Sequence, residues 1–166
     1  MSLIELESER LVLRQWQVGD FEAYARYYSA EETARFVGGV CARDIAWRRL
    51  AATLGHWQMR GHGEWALEEK SSGTLVGAAG LNSPEGWPEL ELGYWLLPEY
   101  QGKGYATEAA GRAKEYAFGE LKRETLVSYI DPRNSASIAV AERLGATYEA
   151  TIALCQFGDH CVYRYV

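Results

Sequence analysis

The chain has 166 residues, of which 48% are hydrophobic and 24% are charged, a composition typical of one globular domain with a sizeable core and not of a disordered protein. Its 17 Lys and Arg residues stand against 23 Asp and Glu, a formal net charge of −6 that repels phosphate backbones and argues against a nucleic-acid partner. No stretch approaches the roughly 20 apolar residues that span a bilayer, so we expect no membrane segment.

The N-terminus and the cysteines indicate a cytoplasmic protein. Glu5 and Glu7 stand where a secretion signal would carry basic residues followed by an apolar run. The three cysteines form no C-x-x-C pair and fit reduced thiols better than a disulfide framework. Cys155, His160 and Cys161 are close in sequence, but strand alternation would divide their side chains between two faces. We therefore predict no metal site.

The first part of the chain is predicted to form a strand and then a helix. Residues 8–16 alternate well enough between apolar and polar positions for a strand with Leu11 and Leu13 on one face. Asp20 is the expected N-cap of the next helix. That helix carries aromatic residues at helical spacing, namely Phe21, Tyr24 and Tyr28.

A second helix is expected from about residue 42 to residue 60, after a flexible joint at residues 36–39. Its apolar positions include Ile45, Leu50, Leu54 and Trp57. The period then shortens, and residues 65–69 and 74–81 on either side of a Ser-Ser-Gly turn indicate a hairpin. A third strand follows at residues 89–97, closed by Pro98, which cannot donate to a ladder.

The rest of the chain is predicted to alternate helices and strands. A helix at 104–119 has an inner stripe of small residues that lets it lie close to a sheet: Ala106, Ala109, Ala110, Ala113 and Ala117. A strand at 125–130 precedes a helix at 135–144, with Asn134 as N-cap and Gly145 as its stop. Strands from residue 147 onward surround a two-residue turn at Gly158-Asp159. The order β, α, α, β, β, β, α, β, α, β, β predicts a single α+β domain over residues 1–166.

The junction between strand 89–97 and helix 104–119 is the most informative part of the sequence. A helix N-terminus presents about four unpaired N–H groups and a partial positive charge, which together bind phosphate. Gly102 and Gly104 carry no Cβ atom to keep a phosphate away, and Lys103 adds a positive charge. A P-loop is excluded because Gly104 follows Lys103, and a dinucleotide fingerprint is excluded because Thr107 stands where Gly or Ala is needed.

These residues resemble the GCN5-related N-acetyltransferase (GNAT) superfamily, whose coenzyme loop has the pattern Q/R-x-x-G-x-G/A. Gln101, Gly104 and Ala106 satisfy that pattern. The segments 91–98 and 134–146 look like the branch that acetylates ribosomal-protein N-termini and its small-molecule relatives. The resemblance covers essentially the whole chain and implies a mixed, mostly antiparallel sheet of about seven strands flanked by about four helices.

The resemblance implies acetyl-CoA as co-substrate and assigns residues to it. Backbone amides from Gly102 to Thr107 would hold the pyrophosphate. Strand 89–97 would splay from strand 125–130, so that its backbone could bind the pantetheine arm and an N–H near Leu96 could polarise the thioester carbonyl. The expected coenzyme-binding residues are Trp95, Leu96, Leu97, Gln101, Gly102, Lys103, Gly104, Tyr105, Ala106, Thr107 and Asn134. The side chains of Trp95 and Leu97 could instead belong to the core of the sheet. Asn134 is also the expected N-cap of its helix.

Two residues are the catalytic candidates by resemblance. Glu91 matches the family's acidic strand position and could take the amine proton through water, or else lie on an exposed face or pair with a cation. Glu89 is the reserve candidate. Ser137 could protonate the departing thiolate, or else face solvent, and no tyrosine is available one turn further along.

The resemblance leaves the acceptor amine open. Its pocket would use Tyr27, Tyr28, Phe36, Trp87 and the C-terminal hairpin, although these aromatics could equally belong to the core. A peptide N-terminus, a polyamine, an aminoglycoside or an amino-acid derivative each fits an acidic protein. A sensor that binds coenzyme A without turnover and a scaffold without affinity for it are the alternatives, and the chain is expected to be a monomer or homodimer.

Overall fold

The computed structural model describes residues 4–166 as an eight-stranded sheet in the order β1-β2-β3-β4-β5-β6-β8-β7. Met1 to Leu3, on which the prediction of no secretion signal partly rests, lie outside the described residues. Neighbouring strands are antiparallel except β5 and β6, which are parallel. The strands are β1 Leu6–Glu7, β2 Leu11–Arg14, β3 Glu64–Glu69, β4 Thr74–Asn82, β5 Glu91–Leu96, β6 Leu126–Ile130, β7 Thr147–Ala153 and β8 Asp159–Tyr165.

Helices cover both faces of this sheet. They are α1 Phe21–Ser29, α2 Glu31–Ala34, α3 Arg43–Arg60, α4 Tyr105–Gly119 and α5 Ser135–Arg143. Side chains of α4 and α5 pack on one face, together with Leu92 and Leu126. Side chains of α1 and α3 pack on the other face, around Ala78 and Trp95. Within residues 4–166 no helix is both long and apolar enough to cross a bilayer.

The α+β class and the mostly antiparallel sheet are confirmed, with eight strands and five helices where about seven and four were expected. The extra elements are β1, which is two residues long, and α2, a single helical turn of four residues. Elements this short carry no measurable periodicity. The first predicted strand, residues 8–16, is correspondingly shorter and begins at Leu11 because Ser8 to Arg10 form the turn after β1.

Two apolar positions of α3 are exposed, and the prediction of the C-terminal turn was wrong. Ile45 and Leu54 of α3 are 37% and 45% exposed, because only one narrow stripe of that helix, which includes Leu50 and Trp57, faces the protein. The C-terminal hairpin does not turn in two residues at Gly158-Asp159. Residues 154–158 connect β7 to β8 through a short 3₁₀ turn, which closes when the Leu154 N–H donates to the Gly158 carbonyl at 3.0 Å.

Helix α4 fits the sheet as its alanines predict. Ala109, Ala110, Ala113 and Ala117 are fully buried, and Ala106 is partly buried. Small side chains allow the close approach of helix to sheet, and this approach sets the first turn of α4 directly beyond the end of β5. The fold therefore places the N-terminus of α4 next to the end of β5.

The strands β5 and β6 separate almost as soon as they meet. Their ladder contains one pair, Glu91 with Val127, and the Val127 N–H donates to the Leu90 carbonyl at 3.2 Å. One residue further on, the Ser128 hydroxyl replaces a main-chain partner and donates to the Leu92 carbonyl at 2.6 Å. The expected splay is present, and the rest of β5 has an open edge.

Asp20 does not cap α1 with its side chain, contrary to the prediction. Its carboxylate instead binds the Arg14 guanidinium through two hydrogen bonds of 2.8 and 2.9 Å, and it also accepts from the Gln17 N–H at 2.8 Å. Arg14 and Asp20 are both buried, and Glu68 binds the remaining side of the guanidinium. The ion pair therefore fixes the start of α1 to strand β2.

Asp20→Asn should lower the free energy of unfolding by about 3 kcal/mol, because it removes one partner of a buried ion pair and leaves the guanidinium undercompensated. Urea denaturation of the variant and parent measures this loss. Glu22→Gln is the control, since it breaks an exposed pair with Arg43 and should change stability little. Equal losses in the two variants would contradict a structural role for the buried pair.

Candidate active site

The loop from Pro98 to Gly104 turns the chain from β5 into α4. Gly102 and Gly104 have φ angles of +75° and +82°, in the left-handed region where glycine carries no steric penalty. Gly104 is the N-cap of α4, so the N–H groups of the first helical turn have no partner within the helix. These amides, together with the exposed Lys103, form an electropositive turn that suits a phosphate group.

Arg10, which the sequence did not single out, supports this turn. Its Nη1 donates to the Lys103 carbonyl at 2.9 Å, its Nε pairs with Glu108 at 2.7 Å, and its guanidinium lies 4.3 Å from the centre of the Tyr105 ring. The arginine precedes β2 and is 93 residues from Lys103 in the chain. No local motif signals such a contact, because it depends on how β2 and α4 pack.

Several of the predicted coenzyme residues have structural contacts of their own. The Gln101 side chain donates to the Leu96 carbonyl at 3.3 Å and so closes the loop onto β5. The Tyr105 ring is buried and its hydroxyl donates to Glu69, which leaves its backbone for a ligand. Gly102 and Lys103 are exposed, and Ala106 and Thr107 are half-buried.

The open edge of β5 presents alternate residues. The Leu97 N–H donates to the Val76 carbonyl in β4, whereas the Leu92 carbonyl accepts from β6 on the opposite side. By the alternation of an antiparallel ladder, Tyr94 and Leu96 direct their N–H groups into the opening, while Trp95 and Leu97 face β4. Of Trp95, Leu96 and Leu97, Leu96 alone therefore has its N–H directed at the opening. The side chains of Trp95 and Leu97 are 6% and 2% exposed and belong to the core.

Asn134 and Ser137 meet the opening from the α5 side. Asn134 is the N-cap, as predicted, and its Oδ1 accepts from the Ser137 N–H at 3.3 Å. The Tyr94 hydroxyl donates to the Ser137 carbonyl at 2.6 Å and ties β5 to the start of α5. Ser137 is half-buried and lines the cleft, and its role as a proton donor stays a prediction.

A cleft of about 800 Å³ passes through the sheet where β5 and β6 separate. Tyr94, Asn134 and Ser137 line it on the α5 side, and Tyr28, Phe36 and Trp87 line the other side as expected. Tyr27 does not line it and stacks beneath Trp95 at 4.1 Å between ring centres. The turn at residues 101–107 lies outside the cleft, at the far end of β5.

Glu91 stands on the wall of this cleft. It is half-buried, forms no ion pair with any residue from 4 to 166, and accepts a hydrogen bond from the Trp87 indole at 2.7 Å. Burial raises the pKa of Glu91 to about 7, partly opposed by the hydrogen bonds from Trp87 and from the Tyr129 backbone. Both alternatives for Glu91, an exposed position and a cation partner, are wrong. Its carboxyl group can exchange a proton near neutral pH.

Glu89, the reserve candidate, is not placed for that role. Its carboxylate pairs with Arg164 at 2.9 Å, and this contact holds the pKa of Glu89 below its usual value. It does not line the cleft. The strand begins at Glu91, so Glu89 does not continue the alternation that would place both carboxylates on one face.

Glu64 is a cleft residue that the sequence did not indicate. It is half-buried at the start of β3, and burial raises its pKa to about 7. The Trp95 indole partly opposes the shift, and the charge of Glu91 adds to it. Only the register of three strands brings Glu64 to the cleft, so no local pattern could have identified it.

The fold agrees with that of known relatives. Residues 10–147 match the Acetyltransferase (GNAT) domain family. The whole chain superposes on the crystal structure of an acetyltransferase from Agrobacterium tumefaciens str. C58 with a TM-score of 0.91 and 36% sequence identity, covering 96% of that chain.

Two relatives from Bacillus subtilis (strain 168) add sequence similarity. The protein YkkB is 38% identical over 90 residues, 53% of this chain and about half, 52%, of YkkB. The N-acetyltransferase YoaA is 25% identical over 150 residues, 89% of this chain and 85% of YoaA. The family match covers most of the chain, and the open β5 edge and glycine turn fit it. The chain therefore belongs to the GNAT family of acetyl-CoA-dependent N-acetyltransferases.

Proposed function

We propose that the protein transfers the acetyl group of acetyl-CoA to a primary amine by direct attack in a ternary complex. The observation that best supports this function is the position of Glu91. It is a half-buried carboxyl group without a cation partner at the point where β5 and β6 separate. The phosphate-binding turn lies beyond the other end of the same strand. One strand therefore connects the coenzyme-binding end to a proton acceptor.

In this proposal the coenzyme lies along the open edge of β5. The amides of residues 102–107 and the charge of Lys103 bind the pyrophosphate. The N–H groups of Tyr94 and Leu96 bind the pantetheine arm and the thioester carbonyl as an added strand would. Asn134 contacts the arm from α5, while Trp95, Leu97 and Gln101 shape the slot through their packing and the loop closure described above.

The reaction needs a neutral amine, a polarised carbonyl and a protonated leaving group. The amine nitrogen attacks the carbonyl carbon and the C–S bond breaks. The Leu96 N–H stabilises the charge that develops on the carbonyl oxygen. Glu91 takes the proton lost by the amine through water, and the Ser137 hydroxyl supplies one to the departing thiolate directly or through water. An α-amino group, with a pKa of about 7.7 to 8.0, needs less assistance than a lysine at about 10.4.

The acceptor class is a finer proposal. The putative ribosomal N-acetyltransferase YdaF of Bacillus subtilis is 36% identical over 74 residues, and the spermidine N(1)-acetyltransferase of Escherichia coli (strain K12) is 40% identical over 57 residues. These names support the branch that acetylates protein N-termini and small amines. The cytoplasmic location and the monomeric or dimeric state stay predictions. A sensor without turnover remains the alternative, which the absence of any amine-dependent thiol release would favour.

Gly104→Val should weaken acetyl-CoA binding at least about tenfold, because a branched Cβ would stand at the phosphate-facing amides. Isothermal titration measures the change. Gly73→Val is the control for backbone strain, since Gly73 also has a positive φ of +68° and open space around it but lies in the β3–β4 turn. Equal affinities in the two variants would contradict the assignment of the turn.

Glu91→Gln should lower kcat/KM roughly a hundredfold and remove a rise in activity with pH near 7. The sign follows from the role: a base acts when deprotonated, so activity increases as pH rises through the Glu91 pKa of about 7. Glu89→Gln is the control, because its pKa is low and its carboxylate is held by Arg164. A Glu91 variant that keeps both the rate and the rise would exclude it as the base.

Ser137→Ala should lower kcat while leaving the KM for acetyl-CoA nearly unchanged, as expected for a proton donor that acts in the transition state. Steady-state kinetics of thiol release measure both constants. Ser135→Ala, at an exposed position in the first turn of the same helix, should match the parent. An unchanged kcat in the Ser137 variant would mean that water, and not Ser137, protonates the thiolate.

A further inference from the structure

A histidine that the proposed chemistry does not use joins α3 to the β4–β5 loop, residues 83–90. His56 is half-buried near the end of α3 and lines the cleft. Its Nδ1 lies 2.8 Å from the His62 carbonyl oxygen, and its Nε2 lies 2.9 Å from the main-chain nitrogen of Ser83. Ser83 is the first residue of the β4–β5 loop. The imidazole therefore bridges the helix, the turn that follows it and the start of this loop.

The two partners of His56 determine its protonation state. A carbonyl oxygen can only accept, so Nδ1 carries the hydrogen and donates it to the His62 carbonyl. A main-chain N–H can only donate, so Nε2 keeps its lone pair and accepts from Ser83. The ring is thus neutral and in the Nδ1–H tautomer. A proton on Nε2 would set two N–H groups against each other and break the bond to Ser83.

The neighbouring His62 is not constrained in this way. It is 3% exposed, and its Nδ1 lies 2.9 Å from the Leu81 carbonyl oxygen. Its Nε2 faces the Ser83 hydroxyl at 3.4 Å, and a hydroxyl can turn to donate or to accept. His62 can therefore take up a proton without losing this contact, whereas His56 cannot.

The surroundings favour the neutral form of both rings. Burial lowers the pKa of His56 and that of His62, while their hydrogen bonds to carbonyl groups oppose the shift. The charge of Arg60 lowers both pKa values further, and Arg123 acts on His62. Arg60 in turn pairs with Glu85 of the β4–β5 loop at 3.4 Å. The other charged or imidazole side chains that line the cleft with His56 are Arg35, Arg49, Glu64, Glu91, Asp131 and His160.

The loop that begins at Ser83 contacts the proposed base. Its Trp87 indole donates to Glu91 Oε2 at 2.7 Å. This hydrogen bond lowers the pKa of Glu91, against the larger effect of burial. The β4–β5 ladder ends where Asn82 pairs with Glu91, so the loop leaves the sheet directly beside the base. The position of the loop therefore bears on the proton affinity of Glu91.

We propose that His56 is a positioning residue for Glu91: its bond to the Ser83 N–H holds the β4–β5 loop so that the Trp87 indole reaches the Glu91 carboxyl group. Protonation of His56 releases the start of the loop and withdraws that hydrogen bond from the base. The inference rests on the proposed function, since it assigns a residue to the base of the same reaction.

The competing interpretation is that other contacts position Trp87. Its ring meets Phe157 and Tyr129 edge to face, with ring centres 5.6 and 6.3 Å apart. The Cys155 thiol also donates to the Gly86 carbonyl at 3.4 Å. If these contacts alone hold the indole, loss of the His56 side chain would leave Glu91 unchanged.

His56→Ala and His56→Gln distinguish the two interpretations. Alanine removes both hydrogen bonds, whereas glutamine offers an acceptor to Ser83 and does not titrate. In His56→Ala we expect the pKa of Glu91, followed by carboxyl ¹³C NMR and assigned with Glu91→Gln, to rise above the parent value. We expect kcat/KM at pH 7 to fall about tenfold, as for loss of one hydrogen bond, with the KM for acetyl-CoA nearly unchanged. His56→Gln and Gln58→Ala, an exposed position on the same helix, should match the parent.

The pH profile tests the protonation step. Glu91 acts when deprotonated and His56 when neutral, so both functions are lost as pH falls. Below the Glu91 pKa of about 7, kcat/KM of the parent should fall about tenfold per pH unit, and about a hundredfold per unit once His56 is also protonated. His56→Gln should keep the tenfold dependence throughout. Long-range ¹H–¹⁵N spectra of the parent at pH 7 should show the Nδ1–H tautomer of His56.

An unchanged Glu91 pKa in His56→Ala would overturn the inference, as would the Nε2–H tautomer or identical pH profiles for the parent and His56→Gln. The two NMR measurements need no substrate and so separate this failure from failure of the proposed function. A shifted Glu91 pKa without turnover of any amine would support the positioning role and contradict the transferase. Melting temperature and acetyl-CoA titration check the fold of each variant, and the profile of His56→Gln decides the matter if His56→Ala does not fold.

Discussion

The site depends on the single ladder pair that joins β5 to β6. Two antiparallel halves of the sheet, β1 to β5 and β6 to β8, share a single ladder pair among residues 4–166, Glu91 with Val127. A longer ladder would bond the main chain of Tyr94 and Leu96 to β6 and close the edge along which we propose that the coenzyme binds. Immediately after this pair, the Ser128 hydroxyl donates a hydrogen bond to the Leu92 carbonyl. The separation thus begins without leaving that carbonyl unpaired.

The helices on the two faces of the sheet shape different parts of the site. On one face, the alanine stripe of α4 lets the helix lie close enough for its N-terminus to follow directly from β5. On the other face, α1 and α3 pack through aromatic residues around Trp95 and leave open the cleft that Glu64 and Glu91 line. The buried pair between Arg14 and Asp20 fixes α1 to the sheet. Coenzyme and acceptor would thereby approach the same opening from opposite sides.

Elements and motifs with a strong local pattern could be predicted, and groups assembled by strand register could not. Leu11 and Leu13 are fully buried as their alternation predicts, and the turn at Gly102 and Gly104 has the positive φ angles its glycines suggest. Glu64 and Arg10, by contrast, reach the site through pairing and packing between segments far apart in the chain. Asp20 is a residue type that commonly caps helices, but a buried arginine six residues earlier is a stronger partner for its carboxylate.

We infer that this cleft brings acetyl-CoA and an amine together for transfer. The most direct measurement is isothermal titration with acetyl-CoA, followed in the same sample by detection of free thiol on addition of amines and N-terminal peptides. We expect saturable binding and thiol release that depends on at least one of these acceptors. Binding without release on any acceptor would contradict the transferase and favour a sensor, and absence of binding would contradict the coenzyme site itself.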